Sequence, residues 1–179
     1  MNNSFYTNNE LNELGLKKIG KNVLISRNAC FYKPEEIEIG DFVRIDDFCV
    51  LSGNILIKNY VHISSGVSIF AGDIGVEIGN HVCVSVKCSL FAISDDFSGN
   101  SLVGPMEAED KRGVIKNKII IGDYSVIGCN SVLLPGAVLC EGVAVGALSL
   151  VKNRLESFCI YGGNPCRLIK KRKMDFLKR

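Results

Sequence analysis

Residues 121–156, written in sixes, read IGDYSV, IGCNSV, LLPGAV, LCEGVA, VGALSL and VKNRLE. Every six opens on an aliphatic residue: Ile121, Ile127, Leu133, Leu139, Val145, Val151. The fifth place is mostly small: Ser125, Ser131, Ala137, Val143, Ser149. An α-helix repeats every 3.6 residues and a flat strand every two, so neither gives an unbroken six. A short strand followed by a tight corner does. Three such units make one triangular coil, and stacked coils make a parallel β-helix, the solenoid class of hexapeptide repeats. The leading aliphatic points inward and fills the prism, and the small residue fits where the interior is tight.

The same phase extends upstream. It begins at Ile19, pauses for two residues around Pro34, and resumes at Ile39. From there it runs through Ile45, Leu51, Ile57, Ile63 and Ile69. Three extra residues precede Ile78, and Val84 and Leu90 follow. Coils therefore start at Ile19, Ile39, Ile57, Ile78, Ile121 and Leu139. About six coils at ~4.8 Å each predict a prism roughly 30 Å long. Residues 1–18 lack the period. Asn8 or Asn9 is expected to cap a short helix through Glu10, Leu11, Leu14 and Leu16, closing one open end. Residues 96–114 also lack it and are rich in Gly, Ser and charge. A loop this long inside a compact domain is functional or disordered. Residues 157–179 form a basic closing tail or helix after a β-helix spanning 19–156. The whole is one domain.

Composition excludes several classes. The chain has 179 residues, 47% hydrophobic and 22% charged, with a net charge of +2. That balance suits a soluble globular protein and not a nucleic-acid surface. No apolar run approaches the ~20 residues that span a bilayer. The N-terminus, MNNSFYTNNE, is polar and unlike a signal peptide. Eight cysteines include no CxxC, and Cys83–Cys88 is too wide for a zinc knuckle. They read as packing residues in a reducing, cytoplasmic compartment, with no metal expected.

The hexads, together with Gly163, Pro165, Arg167 and Ile169 in the closing G-x-P-x-R-x-I pattern, resemble the left-handed β-helix acyltransferases. HISSGVSIFAG and SDDFSG are similar to sugar acetyltransferases of bacterial O-antigen and capsule clusters. The resemblance covers residues 19–171. It implies an all-β solenoid, a homotrimer with active sites between subunits, and acetyl-CoA as donor. It implies that loop 96–114 covers a neighbouring subunit's site. The pantetheine arm would run past Gly128, Cys129, Gly146 and Ala147. The CoA phosphates would meet Lys152, Arg167 and Lys170.

The resemblance breaks at the base. In the galactoside and maltose acetyltransferases a His closes the third face just before the loop, and here that place falls on Asp95. An exposed Asp titrates near ~3.9 and is a poor base at pH 7. His62, at a corner of the preceding coil, offers a substitute, with Asp95 of the adjacent subunit orienting its ring as the carboxylate of a catalytic triad does. Ser64, Asp73 and Asp96 are candidate substrate contacts. His81 reads as a solvated surface residue. The resulting expectation is acetyl transfer to a sugar hydroxyl of a lipopolysaccharide or capsule precursor. Two alternatives stand beside it. One is N-acetyl transfer to a nucleotide-linked amino sugar, in which the amine needs little help from a protein base. The other is a non-catalytic hexapeptide-repeat scaffold or ligand binder.

Overall fold

A computed structural model describes residues 4–178. The chain winds as a left-handed parallel β-helix of about seven turns. Each turn lays down one short strand on each of three faces. The inward row of the first face is Ile19, Ile39, Ile57, Ile78, Ile121, Leu139 and Leu155. The second face carries Ile25, Ile45, Ile63, Val84, Ile127, Val145 and Tyr161. The third carries Phe31, Leu51, Ile69, Leu90, Leu133 and Val151. Nearly all are buried, which removes a continuous column of apolar surface from water.

The count of six coils is one short. The strands Arg154–Leu155 and Cys159–Gly162 add a seventh rung, so the solenoid runs to Gly162 and not to Glu156. Its inward residue is Tyr161, whose hydroxyl accepts from Glu156 N–H at 3.0 Å. The tail then folds back as a strand, Arg167–Lys171, antiparallel to Cys159–Gly162. A 3-10 turn follows at Asp175–Lys178.

The N-terminal helix is Asn8–Glu13, and its cap is Thr7 rather than Asn8 or Asn9. Thr7 and Glu10 form a reciprocal capping box. Hydrogen bonds from Arg27 and Thr7 hold the Glu10 carboxyl down at about 2.

The small residues at the fifth place of each six do more than fit. Ser125 donates to Cys140 O at 3.3 Å, Ser131 to Gly146 O at 3.0 Å, and Ser149 to Gly146 O at 2.7 Å. Corner carbonyls that no strand ladder reaches are satisfied in this way.

Corners turn through the left-handed backbone region, often at non-glycine residues: Asn22, Phe42, Tyr60, His81 and Tyr124 share one edge of the prism. That conformation costs about 1–2 kcal/mol per residue. Ring stacking offsets part of it. Phe42–Tyr60, Tyr60–His81 and His81–Tyr124 stack with centroids 4.8, 4.7 and 5.0 Å apart. His81 is therefore a rung of an aromatic ladder and not merely a solvated side chain.

Candidate active site

The interruption of the period is a hairpin that leaves the third face. Strand Ile93–Asp95 pairs antiparallel with Val114–Lys116. Ion pairs pin its base to the neighbouring coil: Lys116 to Asp73 at 3.1 Å and Lys118 to Glu77 at 3.1 Å. The hairpin leans over the prism wall and encloses a cavity of about 630 Å³. Phe70, Phe91 and Leu134 line its wall, Ile93, Phe97, Pro105 and Val114 its cover, with Ser94, Asp95 and Arg112 as the polar groups. A volume in this range and an apolar lining with a few polar groups are usual for small-molecule sites.

Asp95 sits at the rim. Its carboxylate accepts from Gly104 N–H at 3.1 Å and from Arg112 Nη2 at 3.2 Å. The side chain remains 26% exposed. Arg112 Nε is buried beside it with no partner among the described residues. Asp95 thus anchors the hairpin while part of it faces the cavity.

The other sequence candidates scatter. His62 lies on the second face, away from Asp95 of its own chain, and its Nε2 meets Asp46 Oδ2 at 2.7 Å. Arg44 Nε donates to the other oxygen of Asp46 at 2.7 Å. Burial pushes the Asp46 carboxyl up, but hydrogen bonds from His62 and Arg44 outweigh it and leave it below its ordinary value. His62 therefore already has an orienting carboxylate within its own subunit, which the sequence reading assigned to a neighbour's Asp95. Ser64 is buried, 7% exposed, a poor position for a substrate contact. Asp96 accepts from Ser98 N–H at 2.8 Å and Ser98 Oγ at 2.7 Å, forming a local turn in the loop. Asp73 is tied to Lys116, which holds its carboxyl below the ordinary range.

The cofactor candidates share one edge, between the second and third faces. Along it run Asp46, Ser64, Ser85, Gly128, Gly146 and Gly162, one per rung. Cys129 and Ala147 are exposed beside this row. A Cβ on Gly146 would meet nothing closer than Tyr161 O at 3.5 Å, so a shallow groove opens there. At Gly162 the row is covered by Ile169 of the tail strand. Arg167 and Lys170, on that same strand, are exposed at the end of the groove, and Lys152 is exposed on the third face. Arg172, of the same basic run, instead turns inward and donates to Tyr124 O at 2.8 Å and Gly142 O at 3.0 Å. Small residues along a groove that ends at cations suit a pantetheine arm and its phosphates. Among the described residues no group of three His, Cys, Asp or Glu is placed to hold a metal. No helix among them is long and apolar enough to cross a membrane.

Known proteins share this architecture across its length. A dTDP-4-amino-4,6-dideoxy-D-glucose acyltransferase of Escherichia coli is 38% identical over 172 residues, 94% of this chain and 89% of the relative. The chain belongs to the hexapeptide-repeat acyltransferases. As a member of that family it is an acyltransferase, and the family's structures bind coenzyme A or acyl-CoA. AntD, an N-acyltransferase from Bacillus cereus seen with dTDP and 3-hydroxybutyryl-CoA, matches with a TM-score of 0.96 and 43% identity. That match covers 98% of this chain and 94% of AntD. WbbJ of Escherichia coli K12, named as an O-acetyl transferase of lipopolysaccharide biosynthesis, is 28% identical over 84% of this chain and 80% of its own length. No family model matches the chain.

Sequence reasoning passed over Ser85. It stands half-buried on the groove edge, one rung from Gly128, with nothing in its local sequence to mark it.

Proposed function

We propose that this acyltransferase moves an acyl group from coenzyme A to the amine of a deoxy amino sugar carried on a nucleoside diphosphate. The observation that carries the reading is the near full-length similarity to two enzymes named for N-acylation or for an amino-sugar acceptor, at 38% and 43% identity. The hydroxyl acceptor is supported by the more distant WbbJ. The site agrees with an amine. A neutral amine is a strong nucleophile and attacks a thioester without prior removal of a proton, whereas a hydroxyl needs a base. Asp95, not an imidazole, stands at the cavity rim. In the transfer a C–N bond forms and the C–S bond breaks. The nitrogen gives up one proton, and the departing thiolate takes one.

A second similarity supports Asp95. AntD has been studied as variants at one serine and one aspartate ten positions apart. Ser85 and Asp95 are the one serine–aspartate pair with that spacing and order in this chain. They flank the strand Ser89–Phe91 on opposite edges of the third face. A site using both is completed by a second subunit, in keeping with a homotrimer. Phe97 and Met106, 87% and 95% exposed in the loop, would be covered by that neighbour. Light scattering should give three times 19.5 kDa. An active monomer would remove the shared site.

The deciding experiment measures thiol release from acetyl-CoA and 3-hydroxybutyryl-CoA with dTDP-4-amino-4,6-dideoxyglucose and with its 4-hydroxy counterpart. The amine should react and the hydroxyl should not. In the same assay His62→Ala should keep near wild-type turnover, because no alcohol has to be deprotonated. If instead the hydroxyl sugar is the substrate and His62→Ala costs about 10²–10⁴-fold, the amine reading fails and the imidazole is the base.

A further inference from the structure

The cavity under the hairpin has one anion and one cation among its described lining residues, Asp95 and Arg112. They come from opposite arms of the hairpin. Asp95 closes the strand Ile93–Asp95, and Arg112 stands just before the strand Val114–Lys116. Each carboxylate oxygen of Asp95 has its own donor. Arg112 Nη2 reaches Oδ1 at 3.2 Å, and Gly104 N–H reaches Oδ2 at 3.1 Å. Gly104 delivers that N–H from a backbone with φ of 101°, a region that favours glycine. Two donors on two oxygens fix the plane of the carboxylate as well as its place.

The hairpin does not need the guanidinium to stay closed. Its arms are joined by the ladder of Ile93–Asp95 with Val114–Lys116, by Asp96 N–H to Gly113 O at 2.8 Å, and by Leu102 N–H to Lys111 O at 2.9 Å. Gly113 packs so closely that a Cβ there would run into Ser101 Oγ. The backbone around Arg112 is therefore held by bonds that its side chain does not make. Nor does stability explain the charge. The Arg112 side chain is only 22% exposed, and its Nε is buried without a partner among the described residues. A buried donor left unpaired counts against the folded state, and an apolar side chain of similar length would fill the same space without one. What the guanidinium does that such a side chain does not is hold Asp95.

We infer that Arg112 is a positioning residue of the acyl transfer: through Oδ1 it sets the direction of the Asp95 carboxylate that receives the acceptor's nitrogen. This rests on the placement of Asp95 at the acceptor given above. The acceptor's N–H is taken on the lone pairs that Arg112 and Gly104 leave free, on the exposed side of Asp95. Without Arg112 the carboxylate keeps one donor and swings about it. A misplacement of about 1 Å at a reacting centre costs about 10²-fold in rate, although nothing that touches substrate has been removed.

The test uses the full-length protein in the thiol-release assay, with whichever of the two acceptors reacts. Arg112→Met keeps the length of the side chain and removes its charge. It should lower kcat about 10–10²-fold and leave KM for the acyl-CoA as in the wild type. Hydrogen exchange at the Asp96 and Leu102 amides, which close the loop, should also stay at the wild-type rate. In Arg112→Ala, added guanidinium ion should restore part of the lost kcat. In an Asp95→Asn background Arg112→Met should cost little more, because the carboxylate it positions is gone. Wild-type kcat in Arg112→Met overturns the inference. So does an equal fold-loss with and without Asp95→Asn, which makes Arg112 act apart from Asp95. A lost kcat with fast exchange at Asp96 and Leu102 and no response to guanidinium overturns it too, and makes Arg112 a strut of the loop. Wild-type turnover in Asp95→Asn alone strikes the placement of Asp95 at the acceptor. Failure of the inference by itself shows as an impaired Asp95→Asn beside an unimpaired Arg112→Met.

Discussion

Asp95→Ala should lower turnover with the amino-sugar acceptor by about 10²–10⁴-fold, the usual loss when a positioned acid–base group is removed. An amine dissolved near neutral pH is largely an ammonium ion, and it attacks only as the free base. A carboxylate at the cavity rim accepts an N–H of the bound free amine, aims the nitrogen lone pair at the thioester, and takes the proton that the nitrogen sheds as the C–N bond forms, to pass it on to the departing thiolate. Two of Asp95's acceptor sites are taken by Gly104 N–H and Arg112, and the others are available on its exposed side. The same contacts mean that alanine also frees the hairpin, so a lost rate alone does not prove chemistry. Asp95→Asn separates the two effects. Its amide oxygen still accepts from Gly104 N–H, so the hairpin keeps one anchor, but the charge is gone. If Asp95 handles the amine, Asn should lose nearly as much turnover as Ala, while hydrogen exchange across Gly104 and Arg112 stays close to wild type. An Asn variant with wild-type turnover would reduce Asp95 to a loop anchor.

The repeat made the solenoid legible because its inward column is set by residues six apart, and burial tolerates few exceptions there. The seventh coil was hidden by its own filling. The inward Leu155 follows the inward Val151 by only four residues, so the period slips by two, and Tyr161 then replaces the aliphatic residue. The loop was visible as a loss of period, and Asp95 as its first polar flank. What lay out of reach were contacts between rungs. Asp46 and His62 are 16 residues apart in sequence yet share a hydrogen bond of 2.7 Å. Rung spacing varies with every insertion, so lateral neighbours have no fixed offset to search for. The aromatic ladder was missed for that reason, and Ser85 because a corner serine looks like any other turn residue.

Gly128 and Gly146 were both assigned to the pantetheine groove, and valine substitutions at the two should fail in different ways. A Cβ on Gly128 would lie 2.4 Å from Ala147 N and 2.7 Å from Gly146 C. Those atoms are backbone of the next rung and cannot swing aside, so the rungs must part. Overpacking of this kind costs about 1–3 kcal/mol or more, and a chain of this size loses about 2–4 °C in Tm for each kcal/mol. Gly128→Val should therefore melt early, and its activity should fall with its stability. A Cβ on Gly146 would instead meet Tyr161 O at 3.5 Å and Gly162 Cα at 3.8 Å, ordinary contacts. Neither glycine has a positive φ, so valine is allowed by the backbone at both. Gly146→Val should keep nearly the wild-type Tm while its isopropyl group fills the groove. Coenzyme A affinity should drop by an order of magnitude or more, about 1.4 kcal/mol for each tenfold, and the acceptor's binding should hardly change. The tail strand argues for the same path. Ile169 closes the row at Gly162, which leaves the arm no room to continue along the edge and turns it toward the exposed Arg167 and Lys170. A Gly146→Val protein that binds coenzyme A as well as wild type would move the cofactor off this edge altogether, and with it the assignment of those two cations to the phosphates.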